Sequence, residues 1–259
     1  MAVALVTGGT SGIGAEFARQ LSMRGWDIVL VARDLTRLDE TATALRALGR
    51  DVEVLAADLG DRRDVDWVAD RLADPTRPVD LLVNNAGFGM HTPLTSTDVA
   101  AHDLAFEVMC RAVLVLSGAA ARSMRERGRG RIVNVSSTAG LMAMGSYSAI
   151  KAWVTSYSEG LSVELKGTGV GVTALLPGWV RTEFHQRAGI KSSSIPNALW
   201  LSTEQLVVAC LRDVDKGKVI SMPTLRYKVL MGLVRHAPKG AVRAASGAIS
   251  SSRRKPVEQ

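Results

Sequence analysis

A phenol and a primary amine stand four residues apart in Tyr147-Ser148-Ala149-Ile150-Lys151, within a stretch whose pattern suits a helix. That spacing puts both on one helical face. An ammonium beside a phenol favours phenolate and lowers the proton affinity of a group that otherwise titrates near ~10. Such a pair can give a proton to a substrate oxygen or take one away. Upstream, Val135-Ser136-Ser137-Thr138-Ala139-Gly140 closes a strand-like run. A serine hydroxyl there can donate to the same oxygen and stabilise negative charge as it develops. Alone, a Tyr/Lys pair at this spacing describes many surface helices, so its meaning depends on what surrounds it.

A second constellation suits anions. Thr7-Gly8-Gly9-Thr10-Ser11-Gly12-Ile13-Gly14 joins an apolar run to an amphipathic stretch. Glycine admits left-handed backbone and lets main-chain amides approach a pyrophosphate, whose charge the positive end of the next helix stabilises. A strand before the turn and a helix after it are the context that a dinucleotide requires.

These side chains need a frame that brings distant segments together. Apolar, β-branched runs at 2–6, 28–31, 52–56, 81–83, 132–135 and 170–176 have strand length, and Gly, Asp or Asn follows most of them. Between them, 12–25, 35–48, 62–72, 102–127 and 147–166 suit helices. The alternation predicts an α/β fold: one doubly wound, Rossmann-type parallel sheet with helices on both faces, in a single domain. Ligands in such a sheet lie at the carboxyl ends of the strands, where the strand order reverses.

Further motifs follow the same order. Asp58-Leu59 follows the third run, Asn84-Asn85-Ala86-Gly87 the fourth, and Pro177-Gly178-Trp179-Val180-Arg181-Thr182 the last. With Gly8, Gly12 and Gly14 spaced as Thr-Gly-x-x-x-Gly-x-Gly, and with Tyr147 and Lys151, the chain resembles the classical short-chain dehydrogenase/reductase family over about residues 2–222. The nearest resemblance is to the NADP-preferring group that includes long-chain 3-oxoacyl reductases and steroid dehydrogenases. It implies an oxidoreductase that moves a hydride between NADP(H) and a carbonyl or secondary alcohol, with a lipophilic substrate. Tyr147, Lys151 and Ser137 would be catalytic; Ser137 is preferred to Ser136 because it stands two residues ahead of Ala139-Gly140. The oxidised nicotinamide would add its own positive charge to that of Lys151 in favouring phenolate. The dinucleotide would lie against Gly8, Thr10, Ser11, Gly12, Ile13 and Gly14, with Asp58 and Leu59 at the adenine and Asn85, Ala86 and Gly87 beside it. It would also meet Tyr147 and Lys151, and Pro177, Gly178, Val180 and Thr182 would hold the carboxamide. Arg33 would bind a 2′-phosphate, because Ala32 stands where an acid would select the unphosphorylated cofactor.

One position departs from the family. Met109 occupies the place of an Asn that holds a relay water for the lysine, and a thioether cannot replace an amide. That leaves a second reading, a sensor or regulator that binds NADP(H) with little turnover.

The formal charge of +7 is unevenly placed: residues 216–259 hold ten Lys and Arg against one Glu, leaving −2 for residues 1–215. No aromatic or helical readout elements accompany the basic segment, so nucleic acid is not an expected partner. Leu225, Val229, Leu230, Leu233 and Val234 share a helical side with Arg226, Lys228 and Arg235 between them, which suggests a peripheral contact with an anionic membrane or a helix over the substrate cleft. Residues 223–259 read as a basic C-terminal extension to a catalytic domain of 1–222, whose substrate loop spans about 183–202. The N-terminal residues lack a secretory pattern, so a cytoplasmic location is expected. Cys110 and Cys210 read as buried thiols, and His91, His102, His185 and His236 lack metal-ligand spacing. Trp179 is expected to line the cavity. By resemblance, a homo-oligomer would form through the helices of 102–127 and 147–166.

Overall fold

In β1 (Val3–Thr7), Leu5 enters one hydrophobic core while Ala4 and Val6 enter another. Successive strand residues point to opposite faces, so apolar residues at every position call for cover on both sides. β2 (Asp27–Ala32) does the same, sending Val29 and Val31 one way and Ile28 and Leu30 the other. With β3 (Val52–Ala56), β4 (Leu81–Asn84), β5 (Gly130–Val135), β6 (Val170–Leu175) and a late β9 (Ile220–Ser221), they form a parallel sheet in the order β3-β2-β1-β4-β5-β6-β9. The order reverses between β1 and β4, which opens a crevice at their carboxyl ends. The computed structural model describes residues 1–90, 92–182 and 199–251, with side chains to 247. His91, His185, the Ser-rich 191–194 with Pro196, and most of the expected 183–202 loop lie outside the described residues.

One core is closed by α3 (Arg62–Ala73), α4 (Ala100–Phe106), α5 (Ala112–Glu126) and α6 (Ser146–Glu164). The other is closed by α1 (Gly12–Met23), α2 (Leu35–Arg46), α7 (Thr203–Asp215) and Tyr227 of α8 (Leu225–His236). Helix starts follow local chemistry: Asp34, Asp61, Ser202 and Thr224 accept from the amides of Arg37, Arg63, Gln205 and Tyr227. A last helix, α9 (Lys239–Ser251), buries Ser246, whose hydroxyl accepts from the Ala143 amide at 3.0 Å.

All six expected strands are present, and the fold class is as expected. The seventh strand and a small parallel pair, β7 (Trp179–Val180) with β8 (Trp200–Leu201), are two residues per strand and too short for a periodic signal. The single helix expected over 102–127 is instead α4, a π-helical turn at Glu107–Arg111, and α5. The span Ala100–Glu126 holds an 18-residue window of mean hydropathy 1.7, long and apolar enough to cross a membrane, yet Met109, Leu116, Ala120 and Met124 are packed under the sheet.

Between β4, β5, α5 and α6 lies a buried polar network. Asn84 Nδ2 donates to Asn134 Oδ1 at 2.9 Å and Ser117 Oγ at 3.0 Å, and Asn134 Nδ2 donates to Ser158 Oγ at 3.0 Å. These bonds tie the helix carrying Tyr147 to the strands beneath it. Asn134→Leu leaves the Asn84 amide and Ser158 hydroxyl short of partners, and is expected to lower stability by about 2–3 kcal/mol in urea denaturation.

Candidate active site

Thr7 ends β1 with its hydroxyl turned toward β4. Its Oγ1 accepts the amides of Asn85 at 2.9 Å and Ala86 at 3.0 Å, while Asn85 Nδ2 donates to the carbonyls of Thr7 at 3.0 Å and Gly8 at 3.2 Å. The glycine turn and residues 85–87 are thereby fastened side by side. Gly8 and Gly12 adopt φ of +62° and +54°. A Cβ at Gly14 would sit 2.2 Å from the Gly8 carbonyl oxygen, so the turn lies flat on the first turn of α1. Ser11 makes no side-chain cap there, which leaves the amides of that first turn without a side-chain acceptor. A Cβ at Gly12 would come within 3.3 Å of Thr182, placing the 177–182 segment over the glycine turn. An uncapped helix start, left-handed glycines and a roof of hydroxyl and backbone fit the phosphates of a dinucleotide.

At the side of this turn, the Arg33 side chain is 72% exposed, with Nη1 4.0 Å from Asp58 Oδ2. Arg37 Nη2 donates to the Thr10 carbonyl at 3.4 Å, a second guanidinium beside the turn that the motif reading did not single out. Its signal was one helical turn of spacing from Arg33. Asp58 Oδ1 accepts from the Gly60 amide at 2.9 Å, and Leu59 is buried.

Ser136 and Ser137 diverge. Ser136 Oγ is buried and donates to the Lys151 carbonyl at 2.6 Å, a structural bond within the fold. Ser137 Oγ accepts from the Ala139 amide at 3.1 Å and stands near enough to the Tyr147 hydroxyl to lower that phenol's proton affinity. Lys151 is buried; its Nζ donates to the Val135 carbonyl at 2.8 Å and lies 5.8 Å from the centre of the Tyr147 ring. Close packing fixes this helix: a Cβ at Gly140 would lie 2.8 Å from the Ala152 backbone nitrogen.

The sequence of residues 2–192 matches the family model described as short chain dehydrogenase. The chain belongs to the short-chain dehydrogenase/reductase family of oxidoreductases. A short-chain dehydrogenase from Sphingobium yanoikuyae in complex with NADPH is 33% identical, with 100% of this chain and 98% of that one covered and a TM-score of 0.82. The bulky-bulky ketone specific alcohol dehydrogenase from Comamonas testosteroni is 30% identical, with 100% and 97% covered and a TM-score of 0.78. The monensin polyketide synthase putative ketoacyl reductase of Streptomyces virginiae is 40% identical over 195 residues, which are 71% of this chain and 73% of that protein.

Within this dehydrogenase/reductase, two sequence expectations change, for Tyr147 and Trp179. Burial pushes the Tyr147 phenol up to about 12, with the nearby Ser137 hydroxyl acting the other way, so desolvation outweighs the expected pull of the ammonium. Trp179 packs against Trp200, with ring centroids 6.2 Å apart, and against the core that holds Val180, so packing claims its indole. Met109 is buried in the π-helical turn, and a Cβ on Gly87 would meet its sulfur at 3.0 Å and Lys151 Nζ at 3.8 Å. The thioether therefore fills space beside the amine. Among the described residues no group of three His, Cys, Asp or Glu could hold a metal ion.

Burial also brings the Lys151 ammonium down to about 8, well below the usual lysine range. A folded-state value below the unfolded one means that charging Lys151 costs stability. That cost is full below about pH 8 and fades as pH rises toward 10.5. Lys151→Met removes it and also the bond to Val135. The variant is expected to be more stable than the parent by about 2 kcal/mol at pH 7, with the gain shrinking toward pH 10 in chemical denaturation.

Proposed function

We propose that the chain transfers a hydride between NADP(H) and a ketone, aldehyde or secondary alcohol. The observation that carries this reading is the Tyr147 phenol near Ser137, one helical turn from a buried lysine, in a fold whose glycine turn is roofed by Thr182. When bound, the dinucleotide supplies or takes up the hydride. Tyr147 gives the proton to the carbonyl oxygen, and Ser137 donates a hydrogen bond to that oxygen as it gains charge. Lys151 places a positive charge beneath the phenol and favours its anionic form once the proton has left.

The rest of the site divides by ligand part. Thr10, Ser11, Gly12, Ile13 and Gly14 present backbone to the phosphates, Asp58 and Leu59 border the adenine, and Asn85, Ala86 and Gly87 lie alongside. Pro177, Gly178, Val180 and Thr182 hold the carboxamide. Arg33 and Arg37 flank the ribose position with no carboxylate at Ala32, which supports a 2′-phosphate. The bulky ketones and ketoacyl groups named for the relatives support a bulky, lipophilic carbonyl substrate. Met109 favours one alternative, a cofactor-binding sensor of low turnover.

Two surfaces extend the reading. An open groove of about 550 Å³ between α5 and α6, lined by Leu114, Val115, Tyr157 and Leu161, suits a homo-oligomer contact. On α8, Leu225 and Leu233 are 76% and 67% exposed, next to Arg226 and Lys228, which supports a peripheral contact of a cytoplasmic protein with an anionic membrane. Flotation with anionic vesicles, compared with neutral ones, tests it; equal recovery ends the proposal.

The central test is NADPH oxidation with a ketone panel. Tyr147→Phe is expected to cut turnover by about 10²–10⁴-fold; unchanged turnover rejects the role given to Tyr147, and a parent that binds NADPH but oxidises it with no ketone in the panel favours the sensor. The reductive rate should hold below about pH 8 and decline as Lys151 loses its proton, while alcohol oxidation should rise with pH as the phenol approaches ionisation. Arg33→Ala should weaken NADPH about 10–100-fold and leave NADH within about threefold. Equal weakening of both would remove the role given to Arg33.

A further inference from the structure

Tyr227 enters the fold from the C-terminal extension, forty-five residues after Thr182. Thr224 caps the start of α8, its hydroxyl accepting the Tyr227 amide at 3.3 Å, and this sets the first turn so that Tyr227 points inward. The side chain is buried in the core that also contains Val180 and Leu201. Its ring lies against Gly178 so closely that a Cβ there would fall 1.9 Å from Cζ. The hydroxyl accepts from the Trp179 amide at 2.8 Å and donates to the Leu199 carbonyl at 2.7 Å. One phenol thus uses both its donor and an acceptor on two backbone groups twenty residues apart, next to the point where β7 pairs with β8.

The consequence falls on residues 177–182. Thr138 holds Pro177 from one side through its amide at 2.9 Å and its hydroxyl at 3.1 Å, both donated to the Pro177 carbonyl. Tyr227 holds Gly178 and Trp179 from the other. Without the phenol oxygen, the part-buried Trp179 amide loses this bond, and the segment has a reason to shift toward other acceptors. Thr182, over Gly12, would move with it.

We propose that Tyr227 is a positioning residue for the nicotinamide half of the dinucleotide: by bonding Trp179 and packing on Gly178 it sets the height of the 177–182 segment above the glycine turn. The inference rests on the dinucleotide reading given under Proposed function. It predicts an effect concentrated on one half of the ligand, since the bonds of the Tyr227 hydroxyl go to Trp179 and Leu199 and its ring lies on Gly178.

The experiment measures binding of NADPH and of adenosine 2′,5′-bisphosphate, which has the adenosine half and no nicotinamide, to the full chain and to Tyr227→Phe. The phenyl ring keeps the packing and removes the hydroxyl. NADPH should bind about tenfold more weakly to the variant, and the bisphosphate within about twofold of the parent. Thr224→Ala, which loosens the turn that presents Tyr227 and keeps the phenol, should show the same selectivity at about threefold, and it stands in if the first variant folds poorly. Equal weakening of both ligands, or NADPH affinity within twofold of the parent, overturns the inference. A parent protein that binds neither ligand would instead reject the dinucleotide reading on which it rests.

Discussion

The Thr7 hydroxyl governs how closely the ends of β1 and β4 approach. It receives two consecutive amides from the segment after β4, and Asn85 returns its side-chain amide to the carbonyls of Thr7 and Gly8. With the two ends fastened, no space remains for a Cβ at Gly14, and Asn85 Nδ2 stands 3.0 Å from where one would lie on Gly8. The glycines answer a spacing set by a threonine and an asparagine. A backbone surface free of side chains then lies at the place where the strand order reverses.

Around that surface the chain accepts unfavourable burial. Lys151 is an ammonium inside the protein with a backbone carbonyl as partner, and Tyr147 is a phenol whose ionisation is suppressed. The buried ammonium raises the energy of the folded chain, while the phenol stays neutral at no such cost until the pH is high. The Asn84–Asn134–Ser117–Ser158 network offsets some of this by fixing the catalytic helix to the sheet through satisfied polar contacts.

Much of the architecture was legible in the sequence because period-two and helical patterns repeat over lengths of four residues or more. The pieces that were not legible are short or depend on partners far along the chain. β9 has two residues, and its place beside β6 follows from backbone pairing rather than from any pattern in Ile220-Ser221. Motif order pointed to residues at every corner of the site and preferred Ser137 of the two adjacent serines by resemblance, without giving a physical reason for the choice. The reason lies in the turn of the chain after β5, where Ser136 points into the helix and Ser137 out of it. Tyr227 carries no local signal, since its meaning lies in a contact with Gly178 and Trp179. The basic tail looked like an appendage by composition, while α8 and Ser246 of α9 are fitted against the loops that carry the site.

The π-helical turn at Glu107–Arg111 has a geometric consequence of its own. A turn closed over one extra residue shifts the phase of the helix beyond it by about 100° relative to an uninterrupted one. The extra residue is taken up in the turn, so that the seam of α5, through Leu116, Ala120 and Met124, meets the same core as Ala105 of α4. Removing a single residue from the turn would leave a continuous helix with both flanks still facing the core, and would cost only the widened turn that seats the Met109 thioether near Lys151. A change of one residue at this point is thus absorbed within the turn, and what it alters is the packing of Met109 beside the amine rather than the direction of either helix.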